Sequence, residues 1–283
     1  MSTRRKPLVR RTGRIFGRYL LIWATAALTG CSGTRGPVLH VATWNIAHGR
    51  GLAKSQGKLP RLDYERNLAD IGDSLRTWQA DLVALEEADG PSLWSGSFDH
   101  VQALADAASL PHHYRGTHID IGVGRWRIDS GTALLADRPL ADVRSARFAT
   151  ELVRSKGFIW AQVDFAGRPV TVASVHLHPN SPPTRARQAR QVVAQLSDAP
   201  RPLIVLGDLN CTREEEAFAV LTGGLDLRAW RRDADDLATF PSTGPRLRID
   251  WILISPELTF ADYAVHCPPY SDHCAVVADI VNR

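Results

Sequence analysis

The chain has 283 residues, 44% hydrophobic and 23% charged, with a formal net charge of +4; these proportions describe a globular protein and exclude a disordered or fibrous one. The positive excess is local, because seven of the 34 Lys and Arg, and none of the 30 Asp and Glu, lie within residues 1–30. Taking those seven from 34 leaves 27 basic against 30 acidic residues from Cys31 onward, a net of −3, so overall charge gives no ground for a nucleic-acid partner.

The leader opens the chain. Arg4, Arg5, Lys6, Arg10, Arg11, Arg14 and Arg18 precede an apolar run from Tyr19 to Leu28, and a basic segment followed by a short apolar one is the pattern of an export signal. The run is short for a membrane-spanning helix, which needs roughly 20 residues. It stops at Leu28-Thr29-Gly30-Cys31, which resembles the lipobox of bacterial lipoproteins. That resemblance implies a signal peptide over residues 1–30, lipidation of Cys31, a tether over 31–38 and a protein held in the bacterial cell envelope. The plain alternative is an ordinary export signal with an incidental cysteine. Residues 39–283 have the length of one large domain.

Within that domain His40–Trp44 reads as a strand with Asn45 at its end, followed by a glycine-punctuated basic loop carrying His48, Arg50, Lys54, Lys58 and Arg61. Leu68, Ile71, Leu75 and Trp78 recur at helical spacing between Tyr64 and Ala80. Asp81–Leu85 is a second strand, ending in Glu86 and Glu87; successive strand side chains point to opposite faces, so only one of the two faces a shared site. The pattern then predicts a helix over 99–108 and strands near 113–118, 132–136, 158–165 and 170–176, the last ending in H-L-H-P with His176 and His178.

Thr184–Leu196 reads as an amphipathic helix with Ala189, Val193 and Leu196 inward and Arg185, Arg187 and Arg190 outward. Leu203–Leu206 is a buried strand, Gly207 lets the chain turn or pass close to something, and Asp208 and Asn210 follow as neighbours that share a face. A helix near 213–221, a looser stretch over 225–248 and strands over 249–254 and 275–280 complete the chain. Asp250 begins the first of those strands, and Ser271-Asp272-His273 precedes the second. Many short strands, with helical spacing only between strand groups, predict an α/β sandwich of sheet on sheet with helices outside. Cys267 and Cys274 can close a small loop in an exported protein, a point the sequence leaves open. Cys211 reads as a small packed residue.

Asn45, Glu87, His176, Asp208, Asn210, Asp250, Asp272 and His273 thus stand at or beside strand ends. Each alone is an ordinary turn, surface or core residue. Together they suit phosphoester hydrolysis: Mg²⁺ needs only one or two carboxylates and keeps its waters, a further carboxylate can deprotonate water, and His and Asn donors can stabilise phosphoryl oxygens.

The ordered set T-W-N at 43–45, A-L-E-E at 84–87, V-H-L at 175–177, G-D-L-N at 207–210, I-D-W at 249–251 and S-D-H at 271–273 resembles the endonuclease/exonuclease/phosphatase superfamily of DNase I-like proteins. The resemblance implies a four-layer α/β sandwich and a Mg²⁺ or Mn²⁺ cofactor. It implies Glu87 as main metal ligand with Asn45 and Asp272 near the metal, Asp208 activating water, and Asn210 and His176 as donors to the phosphoryl group. Asp250 and His273 are implied as a carboxylate–imidazole pair. Two departures stand out: Glu86 replaces the family's usual Gln, and Thr132 its usual Asn in G-N-A.

Three functions remain open. A phosphodiesterase of nuclease type draws on the clusters Arg125/Arg127, Arg185/Arg187/Arg190 and Arg228/Arg231/Arg232, with Trp126 and Trp230 interleaved. A phospholipid or sphingomyelin phosphodiesterase, or an inositol-type phosphatase, draws on the expected lipid anchor. A binding lipoprotein would keep the fold without catalysis. Thr132, Arg50, Arg125 and Arg228 are the expected substrate contacts, and a monomer is the expected state.

Overall fold

A computed structural model describes residues 36–148 and 155–283; the basic leader, the lipobox with Cys31 and the first part of the tether lie outside the described residues. Twelve strands and four helices follow in the order β1 (Val38–Asn45), α1 (Arg61–Thr77), β2 (Leu82–Asp89), α2 (His100–Ala108), β3 (His112–Ile121), β4 (Ile128–Ala136), β5 (Leu140–Arg147), β6 (Gly157–Phe165), β7 (Arg168–His176), α3 (Pro182–Leu196), β8 (Leu203–Asp208), α4 (Glu216–Gly224), β9 (Arg228–Ala229), β10 (Asp250–Ile254), β11 (Leu258–His266) and β12 (Ala275–Asn282). They form two mixed six-stranded sheets, ordered β11-β12-β1-β2-β4-β3 and β5-β6-β7-β8-β10-β9. Among the described residues no helix is long and apolar enough to cross a membrane.

Strand alternation decides the layers. Leu39, Val41, Leu134 and Val276 of the first sheet meet Ile159, Val172, Ile204 and Ile252 of the second in one buried cluster. The opposite faces bury against helices. Leu68, Ile71 and Leu75 of α1 and Val101 and Leu104 of α2 cover the first sheet, while Ala189, Val192 and Leu196 of α3 and Phe218 and Leu221 of α4 cover the second. Local chemistry starts these helices: Asp99 accepts from the N–H groups of Val101 and Gln102, and Ser181 caps α3 ahead of Pro182 and Pro183. One helical face differs from expectation. Arg185 turns inward, because its guanidinium meets Glu215 Oε2 at 3.0 Å and the carbonyls of His178 and Pro179.

Strand direction gathers the chemistry at one end. β1 runs parallel to β2, and β7 parallel to β8, so Asn45, Glu86, His176 and Asp208 come at the finishing ends of their strands. β10 and β12 run antiparallel to their neighbours and begin there, with Asp250 and just after His273.

Candidate active site

Asp208 is the centre of this end. Gly207 before it has φ +138, and a Cβ there would lie 2.1 Å from the carbonyl oxygen of Val175; only glycine lets β8 approach β7 this closely before the strand ends. Asp208 Oδ1 accepts from the backbone N–H of Asn210 and Oδ2 from Asn45 Nδ2, both at 2.9 Å. His176 Nε2 lies 3.4 Å and His273 Nε2 3.8 Å from the same Oδ2. Burial pushes the Asp208 carboxyl up to about 7, with His273 opposing and Asp250 adding to the shift.

Asp250 stands directly opposite Asp208 in the β8–β10 register. It accepts from Thr239 Oγ1 at 2.5 Å and meets His273 Nδ1 at 3.0 Å. Burial alone would lower the His273 imidazole, but Asp250 and Asp208 outweigh it and raise the group to about 10. Asp208, Asp250 and His273 each offer a ligand atom within 4.8 Å of the others, a cluster able to hold a divalent cation. With its proton, His273 already neutralises much of that charge, so a cation centred there competes with the imidazolium.

The segment carrying His273 is pinned from several sides. Cys267 and Cys274 are disulfide-bonded across it. Ser271 Oγ donates to the Asn45 carbonyl at 2.6 Å, Trp44 Nε1 donates to the His273 carbonyl at 3.0 Å, and the Phe240 ring packs 4.7 Å from the imidazole. Asp272 meets Arg50 at 2.6 Å.

The two adjacent glutamates diverge. The β2–β4 register shifts between Leu85 and Ala88, and Glu87 takes φ +53, so a bulge turns its carboxylate out toward the cleft. Glu86 points between the sheets, fully buried, accepting from Ser174 Oγ at 2.9 Å. Burial first, then Asp208 and Asp250, raises Glu86 well above the usual carboxyl range. Burial would raise Glu87 also, but His48, Lys156 and His176 hold it well below that range.

Beside Glu87 opens a cleft of about 430 Å³, lined by His48, His176 and Lys156 together with Trp94, Ile119 and Pro179. Lys156 Nζ lies 3.2 Å from Glu87 Oε1 and donates toward His176 Nδ1 at 3.4 Å. Burial and then Lys156 lower His176 well below its ordinary value, so its ring is neutral. His48 Nε2 lies 3.2 Å from Glu87 while its Nδ1 meets buried Asp89 at 2.8 Å; Asp89 also accepts from Trp94 Nε1 and Ser95 Oγ. Lys156 and Asp89 carry no motif in the sequence. Asp89 two residues after Glu87 is the one signal that alternation offered, and His178 of H-L-H-P also lines the cleft.

Asn45, Glu87, His176, Asp208, Asn210, Asp250, Asp272 and His273 thus converge on one end of the sandwich. Their partners qualify some roles. Asn45 gives its amide to Asp208, and its Oδ1 accepts the N–H of Ala47. Asn210, at φ +49, donates its side-chain amide to the Leu177 carbonyl at 3.0 Å. Of the expected substrate contacts, Arg50 is held on Asp272. Thr132 is fully buried against His118 Nε2 at 3.0 Å, and burial lowers that imidazole to about 3. Arg228 is a correction: it pairs with Ile254 at the far end of β10, bound to the carbonyls of Pro256 and Leu258, because β9 joins the sheet away from Asp250. The Arg125 side chain lies outside the described residues. Cys211 is buried, and burial pushes its thiol up, as befits a packed residue.

Residues 42–273 match the profile of the Endonuclease/Exonuclease/phosphatase family. Among solved structures, an endonuclease/exonuclease/phosphatase from Beutenbergia cavernae is 21% identical with TM-score 0.66, the alignment covering 87% of this chain and 72% of that one. D. rerio TDP2 complexed with a single-strand DNA product is 20% identical with TM-score 0.64, covering 87% and 99%. The human Nocturnin catalytic domain with bound sulfate is 21% identical with TM-score 0.65, covering 88% and 95%. At these identities the structural likenesses show the fold. No curated protein matched the sequence.

Proposed function

The chain belongs to the Endonuclease/Exonuclease/phosphatase family, and on that premise we propose that it is a divalent-metal-dependent phosphodiesterase in which Asp208 activates the attacking water. The observation that carries this reading is the convergence of Asp208, Asp250 and His273 within 4.8 Å at one end of two packed sheets. A carboxylate raised to about 7 is matched to take a proton near neutral pH. Asn45 and the Asn210 N–H hold its two oxygens in place. Asp250 orients His273 and keeps it charged, so that His273 and neutral His176 are donors available to phosphoryl oxygens as charge develops.

The oxygen donors suit Mg²⁺ or Mn²⁺. Glu87, anionic and facing the cleft, is the proposed main ligand, with Asn45 and Asp272 as oxygen donors nearby. A divalent cation bound there would polarise the phosphoryl oxygen and offset charge on the leaving oxygen. Lys156 and His48 hold Glu87 in the structure, so they are the groups a cation would displace.

The test is hydrolysis of bis(p-nitrophenyl) phosphate with Mg²⁺ or Mn²⁺. Expected are loss of turnover with EDTA and a fall of at least about a thousandfold in kcat for Asp208→Asn. Turnover that survives both would sink the reading, and a chain inert on every phosphoester tried would favour a binding protein.

The likeness to a TDP2–DNA complex lends support to a nucleic-acid substrate, but of the arginines expected to read it Arg185 and Arg190 are matched by Glu215 and Glu216, and Arg228 lies at the far end of β10. The leader supports export and lipid anchoring at Cys31. Radiolabelled palmitate incorporation, lost in Cys31→Ser, is the expected result.

A further inference from the structure

The rim of the cleft is more apolar than its floor. Of the eight most exposed large apolar side chains among the described residues, Ile121, Val123 and Trp126 lie on the turn from β3 to β4, with Leu93 beside them; they are 40%, 85%, 63% and 45% exposed. A backbone bond from the Leu93 N–H to the Arg127 carbonyl, 2.8 Å long, ties the two segments together. The turn itself is built, since Gly122 has φ +107 and a Cβ there would lie 2.0 Å from the Trp126 carbonyl oxygen. The same hairpin sends Ile119, Ser130 and Gly131 into the wall of the cleft, and Trp94 next to Leu93 lines it as well. Apolar rim and catalytic cleft are therefore continuous.

Nearby charge decides what such a rim suits. Arg127 is held by Asp120 at 2.6 and 2.7 Å, and Arg115 by Asp129 at 2.8 Å. Elsewhere Arg185 is matched by Glu215, Arg190 by Glu216, Arg213 by Glu214 and Arg231 by Asp236. A polynucleotide needs a track of open cations along its phosphates. An indole with three aliphatic neighbours, beside an Arg127 already held by Asp120, suits instead the boundary between hydrocarbon and water.

We propose that this rim docks on a lipid bilayer, and that the site takes its phosphodiester from a lipid head group presented there. The substrate half rests on the phosphodiesterase reading; the docking half does not. The aliphatic side chains and the indole would enter the interface, while the Asp120–Arg127 pair stays at head-group level.

The test compares the full chain with its Val123→Ser/Trp126→Ser variant by sedimentation with phosphatidylcholine vesicles containing a minor share of phosphatidylglycerol. Both proteins carry the same N-terminal segment, so the difference between them reads the rim. The variant is expected to partition about tenfold more weakly and to lose a similar factor in hydrolysis of vesicle phospholipid, with unchanged turnover of bis(p-nitrophenyl) phosphate. Equal partition of the two proteins would overturn the proposal. So would a loss confined to oligonucleotide binding, or a wild-type dimer that the variant dissolves in sedimentation velocity. If partition falls but neither protein cleaves any phosphodiester, the docking surface stands and the enzymatic reading fails.

Discussion

Two histidines at this end of the molecule are each gripped by a buried aspartate, and they differ in what lies beyond. His273 stands between Asp250 and Asp208, on a segment closed by a disulfide and covered by Phe240. His48 stands between Asp89 and Glu87, and beyond Glu87 lie Lys156 and the open cleft. The first arrangement is closed and presents one raised imidazole to one raised carboxylate. The second keeps its outer carboxylate ionised at the mouth, where burial alone would have neutralised it. One fold has thus set two similar pairs apart: burial raises the Asp208 carboxyl to about 7, whereas His48, Lys156 and His176 hold Glu87 well below the usual carboxyl range.

Breaking the closed pair is expected to have the largest effect. Asp250→Asn leaves the His273 ring without its charged partner, and kcat is expected to fall by about 10³–10⁴. The His273 titration, followed by NMR, should drop from about 10 toward the ordinary imidazole value; an unmoved titration would separate His273 from Asp250. Truncating the open pair should cost less. His48→Ala is expected to lower kcat/KM by roughly 10²-fold, and Asp89→Asn by about tenfold through loss of His48 orientation, with the fold confirmed by circular dichroism. Equal losses for Asp250→Asn and Asp89→Asn would erase the distinction between the two regions.

Stability sharpens the same contrast. The folded protein holds the His273 proton to about 10, whereas an unfolded imidazole releases it near 6.5. That contribution is full below the unfolded value and is lost as pH rises through about 10. Urea midpoints of the wild type should therefore decline from pH 7 to 10 more steeply than those of His273→Gln. Removing the Cys267–Cys274 bridge with paired serines is expected to cost about 2–3 kcal/mol and to impair turnover, because the bridge closes the segment that carries Asp272 and His273. The smallest effect belongs to Glu86→Gln. Burial, Asp208 and Asp250 already push Glu86 toward its uncharged form, so activity within about threefold of wild type is expected; a large loss would show that its ionisation matters.

The sequence displayed its centre better than its edges. The strands that went unread, β5, β9 and β11, all lie at sheet edges. β5 buries none of its residues fully and β11 few, so neither carries a clean apolar alternation. The inward turn of Arg185 was hidden for a related reason: its partner Glu215 is 30 residues away, next to α4.

What the sequence determined by itself was the layered sandwich and the set of polar residues at strand ends. Both follow from local periodicity, which marks where apolar strands run and where polar residues follow them. What only the tertiary structure decided was the partnership among them. Glu86 and Glu87 are neighbours in the chain, yet a bulge sends one beneath Asp208 and the other to the cleft. Asp250 faces Asp208 because β10 pairs antiparallel with β8 across 42 residues of chain, and Lys156 reaches Glu87 from the other sheet. Charge, proton affinity and access depend on such distances through space, and separation along the chain does not encode them.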